Sequence, residues 1–183
     1  QTHALTYQSN TGLLTRIEKP SGATSIFTYD SKNRLSSDRD AAGGLQTLVR
    51  TDFSNQGYSI LHTGATGEQT NHLLNFPVSK DQTFNQSFPD GSATTTQNKW
   101  AGQHTVTAPD GTQTTSTIAA DPRFGFQVPF NKTQTITTPS GLTANLANTK
   151  TITPAPGNSF ILTEQNSING VTSTEVFNSQ TRT

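Results

Sequence analysis

Apolar and polar residues alternate along much of this chain with a period of two. In residues 23–29, Ser25, Phe27 and Tyr29 fall on one face of an extended strand, and Ile26 and Thr28 on the other. Residues 133–137 and 149–153, each a Thr-rich run around an isoleucine, repeat the pattern. Only residues 141–148 hint at helical spacing, and that stretch is short. The pattern predicts strands almost throughout.

Turn signals punctuate the strands. Pro20-Ser21-Gly22, Ala42-Gly43-Gly44, Gly64-Ala65-Thr66-Gly67, Pro89-Asp90-Gly91, Pro109-Asp110-Gly111 and Pro139-Ser140-Gly141 follow one another, with looser members at Pro156-Gly157 and Asn169-Gly170. Proline presets the φ of the first central turn position, and glycine accepts the positive φ that follows. A second kind of mark lies between these turns. Tyr29-Asp30-Ser31-Lys32-Asn33-Arg34-Leu35 reads as a strand end, a tight turn and a strand start, with Asn33 at the positive-φ position. Tyr7 stands 22 residues before Tyr29 (29 − 7), and Phe53, before Ser54-Asn55-Gln56-Gly57, stands 24 after it (53 − 29). Each cycle is thus aromatic, tight turn, strand, Pro/Gly turn, strand. The fold class this implies is all-β: an array of antiparallel β-hairpins forming a curved or spiralling sheet.

The motif Tyr29-Asp30-X-X-Asn33-Arg34-Leu35 resembles the YD repeat of bacterial RHS proteins, Tyr-Asp-X-X-Gly-Arg-Leu, with Asn in place of Gly. Asp121-Pro122-Arg123-Phe124-Gly125, followed by residues 135–143, is similar to a further segment of RHS-containing proteins. The resemblance divides the chain into YD-type hairpins over residues 1–77 and less regular RHS-like hairpins over residues 78–183, in one continuous array. It implies strand-turn-strand units spiralling into a shell, as in RHS, teneurin and Tc-toxin proteins. It also implies a secreted or cell-surface location and a role in enclosing a toxin or binding carbohydrate. The family's self-cleaving aspartate site is not recognisable, since Asp121-Pro122 is a loose echo of it, so autoproteolysis is not carried over.

Composition sharpens this picture. Only 29% of the residues are hydrophobic, too few for a deep core. Disorder would normally pair that with high net charge, yet 12 basic and 12 acidic residues cancel. Thr, the commonest residue, is β-branched and suits a half-wet sheet. Zero net charge supplies no global field for nucleic acid, and no apolar run approaches the roughly 20 residues of a membrane-spanning helix. Cysteine is absent, which excludes disulfides and thiolate chemistry.

Candidate chemistry is sparse. No nucleophile-elbow serine or phosphate-binding glycine loop occurs, and no cofactor is implied. His62 and His72 flank the Gly64–Gly67 turn and are expected on facing strands as ordinary polar residues, without a third metal ligand. Asp30, Asp38 and Asp40 read as turn residues rather than calcium ligands, and Asp90 and Asp110 as turn supports. The glutamates Glu18, Glu68, Glu164 and Glu175 are too scattered to nominate a glycosidase pair, so the chain reads as no enzyme. Phe84, Phe88, Trp100, Phe124, Phe126 and Phe130 gather in mid-chain amid amides. We expect them first to fill a thin core between sheet layers. As ligand candidates, Trp100, Phe88, Phe124 and Phe126 would stack a sugar ring. Residues 172–177 read as an edge strand, for which the expected partners are the remainder of a longer RHS parent chain or further copies.

Overall fold

A computed structural model describes residues 2–54 and 56–182. Asn55, in the third tight turn of the cycle, lies outside the described residues. The structure is an antiparallel array of fifteen strands whose order in the sheet follows their order in the chain. The strands are β1 (Ala4–Tyr7), β2 (Leu14–Glu18), β3 (Thr24–Tyr29), β4 (Leu35–Arg39), β5 (Leu45–Phe53), β6 (Gly57–Thr63), β7 (Gln69–Asn75), β8 (Gln82–Ser87), β9 (Ala93–Asn98), β10 (Gln103–Thr107), β11 (Gln113–Asp121), β12 (Gly125–Thr137), β13 (Thr143–Ala155), β14 (Ser159–Ile168) and β15 (Val171–Asn178). No helix occurs among the described residues, so the faint helical spacing over 141–148 yields to the strand β13. The chain forms two compact units, Gln1–Asn75 with Phe84–Ala93, and Phe76–Thr83 with Thr94–Thr183.

The two kinds of turn signal converge on one geometry. In the turn starting at Lys19, the Gly22 N–H donates to the Lys19 carbonyl and the Lys19 N–H donates to the Ala23 carbonyl. Starting at Asp30, the Asn33 N–H donates to the Asp30 carbonyl and the Asp30 N–H to that of Arg34. The same pair of bonds recurs from Asp40, Gly64, Phe88, Lys99, Ala108 and Thr138. This is a three-residue hairpin loop whose last residue sits in the left-handed region. Gly22 has φ 81° and Asn33 φ 62°, so asparagine substitutes for glycine in the same place. Asn169 and Gly170 form a two-residue loop between Ile168 and Val171, both with positive φ, as a type I′ turn requires.

Threonine earns its abundance in cross-strand hydroxyl contacts. Thr117 and Thr133 hydroxyls meet at 2.6 Å, Thr105 and Thr115 at 3.3 Å, and Thr28 and Ser37 at 2.6 Å, each pair directly opposed in register. The expected thin core is not formed. All strands belong to one sheet, and Leu162, 6% exposed, is the only buried hydrophobic among the described residues. Leu162 lies opposite Ile152 of β13 and Phe177 of β15, and Phe177 in turn meets Phe160 at 6.3 Å between ring centroids.

In the first unit the register gathers apolar side chains on one face. Ile17 opposes Ser25, which shares its face with Phe27 and Tyr29. A register shift between Thr28 and Tyr29 sets Leu35 opposite Tyr29, and a similar shift sets Leu14 opposite Tyr7. Through that bulge Leu35 joins Leu48 and Ile60 around a cavity of about 120 Å³ roofed by Asp30, Arg34 and Arg50. β1 and β15 are the sheet's edge strands, as residues 172–177 led us to expect.

Candidate functional site

The side chains of the Tyr29–Leu35 motif are spent on holding neighbouring hairpins together. The Tyr29 hydroxyl donates to the Leu14 carbonyl at 2.7 Å, from β3 across to the beginning of β2. Asp30 caps its own turn: Oδ1 accepts the N–H groups of Lys32 at 2.8 Å and Arg34 at 2.9 Å, and Oδ2 accepts Arg34 Nε at 2.7 Å. The guanidinium then reaches forward to the next hairpin, where Arg34 Nη1 donates to Asp52 Oδ2 at 3.3 Å. Lys32 Nζ reaches the same oxygen at 3.0 Å, and Arg50 Nε meets Asp52 Oδ1 at 2.7 Å. Arg50 in turn lies 3.6 Å above the centroid of the Tyr58 ring, adding a cation–π contact. Backward through Tyr29 and forward through Arg34, the motif ties three successive hairpins.

The electrostatics follow from these bonds. Asp52 is held well below the usual carboxylate range, first by Arg50, then by Lys32 and Arg34. Asp30 is lowered chiefly by the Arg34 backbone N–H, and Arg34 is raised by Asp30. In the second unit Asp121, 3% exposed, accepts the Arg123 N–H and both reaches of its guanidinium, which bring its carboxyl down to about 2. A depressed carboxylate stabilises the fold above its unfolded value, near 3.8, and that contribution is lost as the pH falls through the folded value. The melting temperature is therefore expected to fall steeply between about pH 4 and pH 2. In thermal melts across that range, Asp52→Asn and Asp121→Asn should each flatten the fall; an unchanged slope in both would contradict it.

Tyr29→Phe removes one part-buried hydroxyl and leaves the Leu14 carbonyl without its donor. It should cost about 1 kcal/mol in urea unfolding, with β1–β2 amides exchanging faster. Unchanged stability would show that the hydroxyl does not fasten the hairpins.

Residues 10–45 match the family model described as RHS Repeat. The chain carries an RHS repeat. Tyr29, Asp30, Asn33, Arg34 and Leu35 all lie inside the matched stretch, and Asp52 lies just beyond it. The later resemblance over residues 121–183 falls outside the matched residues. No curated protein matched the chain. Over that stretch the chain is similar to the RHS Repeat family, and the clamp shows what the motif's side chains do in this fold.

The aromatic candidates occupy other places. Trp100, 72% exposed, stands in the β9–β10 loop, where its backbone N–H donates to Asp81 Oδ1 at 2.9 Å and Lys80 Nζ lies 4.5 Å from its ring centroid. Phe124, at the β11–β12 turn, carries the Arg123 guanidinium 5.0 Å from its ring, and Phe126 is 70% exposed. No ring–ring contact joins Trp100, Phe124 and Phe126 among the described residues, and they fill no core. Phe88 is half-buried and begins a hairpin turn in the first unit. Phe84 stacks on His72 at 6.0 Å, and Phe130 lies beneath Lys150 at 5.4 Å.

His62 and His72 do come to facing strands, two positions out of register. His62 meets Gln46 at 3.0 Å instead, and His72 meets Phe84. No group of three His, Asp or Glu fit to hold a metal occurs among the described residues. Asp90 and Asp110 accept backbone N–H groups of Ser92 and Thr112, as turn supports do. No helix among the described residues is long and apolar enough to cross a membrane, a statement that leaves strands aside. Sequence reasoning missed Asp52 as a clamp residue. Its local signal was the Arg50-X-Asp52 spacing, which places opposite charges side by side on one strand face.

Proposed function

We propose that the chain is a non-catalytic structural segment of a longer RHS-type protein, a secreted or cell-surface array or the wall of a toxin-enclosing shell. The observation that carries this reading is the clamp. Tyr29, Asp30, Arg34 and Asp52 engage one another or the backbone of neighbouring hairpins, so the repeat's polar chemistry goes into propagation. Its partners would be the remainder of the parent chain or further copies, engaged through β1 and β15. Light scattering of the isolated chain over rising concentration tests this. End-to-end association is expected, and Thr174→Pro on β15 should reduce it by removing an edge donor. Strict monomer behaviour at high concentration would count against the reading.

A second reading, a carbohydrate-binding module, is favoured by one observation: Trp100 presents an exposed indole with Lys80 beside its ring, on a loop held by the bond from its backbone N–H to Asp81. A glycan array probed with the wild type and with a folded Trp100→Ala variant decides it. Retention of no glycan, or equal retention by both proteins, sinks this reading.

A further inference from the structure

The second unit contains a fork in its own sheet. β12 and β13 pair only from Thr133↔Ala147 to Thr137↔Thr143, although each strand continues well past that point. Beyond Ala147, β13 runs on through Ala155 paired with β14 alone. On the other arm β12 departs as well. Between Ala119↔Phe130 and Asp121↔Gly125, residues 126–129 bulge opposite the single residue Ala120. The stretch of β13 from Asn148 to Thr153 is therefore an open strand edge inside the array, ending at Pro154, which has no N–H to offer.

A cavity of about 390 Å³ lies where the strands part, bordered by Lys132, Gln134, Leu146, Asn148, Asn166 and Ile168 among others. Asn148 Oδ1 is buried there without a hydrogen-bond partner. A buried acceptor left unmatched costs free energy, so Asn148 Oδ1 offers a hydrogen-bond site to a guest's donor. No acidic side chain borders the cavity, while Lys132 brings a positive charge to it. No aromatic ring borders it either, which removes the stacking face a sugar would use.

We propose that this fork receives an extended peptide segment bearing a carboxylate. The segment would continue the β12–β13 ladder by strand addition along Asn148–Thr153, donate a backbone N–H to Asn148 Oδ1 and set its carboxylate against Lys132. Main-chain bonds supply the affinity of such modes, and the side-chain pockets at alternate positions supply selectivity. Leu146 and Ile168, directly opposed in register, offer the apolar floor for one side chain of the guest. The inference does not depend on the structural-segment reading.

The test is amide hydrogen exchange on the full chain, with a pool of eight-residue peptides randomised over Thr, Val, Asn and Glu, at a concentration on the order of 1 mM. Amides within residues 149–153 that are not bonded to β14 should exchange about tenfold more slowly. A pool N-methylated at alternate residues should lose the effect, because it cannot donate along the ladder. Asn148→Leu should weaken the protection while leaving the circular dichroism spectrum unchanged. The proposal is overturned if no protection develops, if protection appears only at β1 or β15, or if the N-methylated pool protects equally. It is equally overturned if Asn148→Leu binds like the wild type, or if a neutral oligosaccharide such as maltohexaose gives the same footprint.

Discussion

Gly57→Ala is expected to lower stability by about 2 kcal/mol, a large loss for one added methyl group. Gly57 is buried at the start of β6, opposite Phe53 on β5 and Asn75 on β7. A Cβ there would sit 2.6 Å from the Leu74 carbonyl oxygen and 3.3 Å from the Asn75 Cα. The obstacle is backbone, so no rotamer change relieves it, and β7 would have to move away from β6. The natural comparison is Gly64→Ala, whose Cβ would collide with the Glu68 carboxylate, the far end of a flexible side chain. That group can swing aside at the expense of its bond to the Thr66 hydroxyl. Urea unfolding of both variants should show Gly57→Ala as the more damaging. Equal losses would mean that β6 and β7 are not held at this spacing.

Leu162→Ala is expected to cost about 2–3 kcal/mol, near the lower end for buried leucines, because its neighbours Ile152 and Phe177 are themselves part-exposed and can relax into the space. At 6% exposed, Leu162 stands between Ile152 and Phe177 in the row that joins β13, β14 and β15. Its loss would loosen the β14–β15 ladder first, since Phe177 leans on it and β15 has no further neighbour. Thermal unfolding should fall by several degrees, on the order of 2–4 °C per kcal/mol for a chain of this length. A comparably large loss for Val49→Ala, at an exposed position, would undermine the assignment of Leu162 as the buried hydrophobic anchor among the described residues.

The parts of this fold differ in how far the sequence foretold them. The turns were legible because their causes are local. Gly22, Gly91 and Gly141 occupy the positive-φ position that their Pro-X-Gly signals announced, and Asn33 does the same in the YD-type turn. Alternation likewise placed Phe27 and Tyr29 on one face, because period two is intrinsic to an extended chain. What long-range register decides was not legible. Asp52 meets Lys32 and Arg34 only because β4 and β5 pair where they do, and a shift of one residue would send it to the other face. Leu35 reaches Leu48 and Ile60 only through the bulge at Tyr29. The mid-chain rings suggest a core because large aromatics usually contribute most burial. Trp100 and Phe126 instead stay exposed, one in the β9–β10 loop and the other beside the β11–β12 turn. The scarcity of hydrophobic residues was the better guide to that outcome.

The central claim is a ladder of hairpins fastened each to the next, and native-state amide hydrogen exchange tests it most directly. The account predicts protection in the ladders of β2–β7 and β9–β14, broken at every turn, and weaker at the edge strands β1 and β15. Protection around Leu14–Glu18 and Leu45–Phe53 should drop together when Tyr29 and Asp52 are replaced by Phe and Asn. Uniformly fast exchange along the chain, or continuous protection running through the turns, would contradict it.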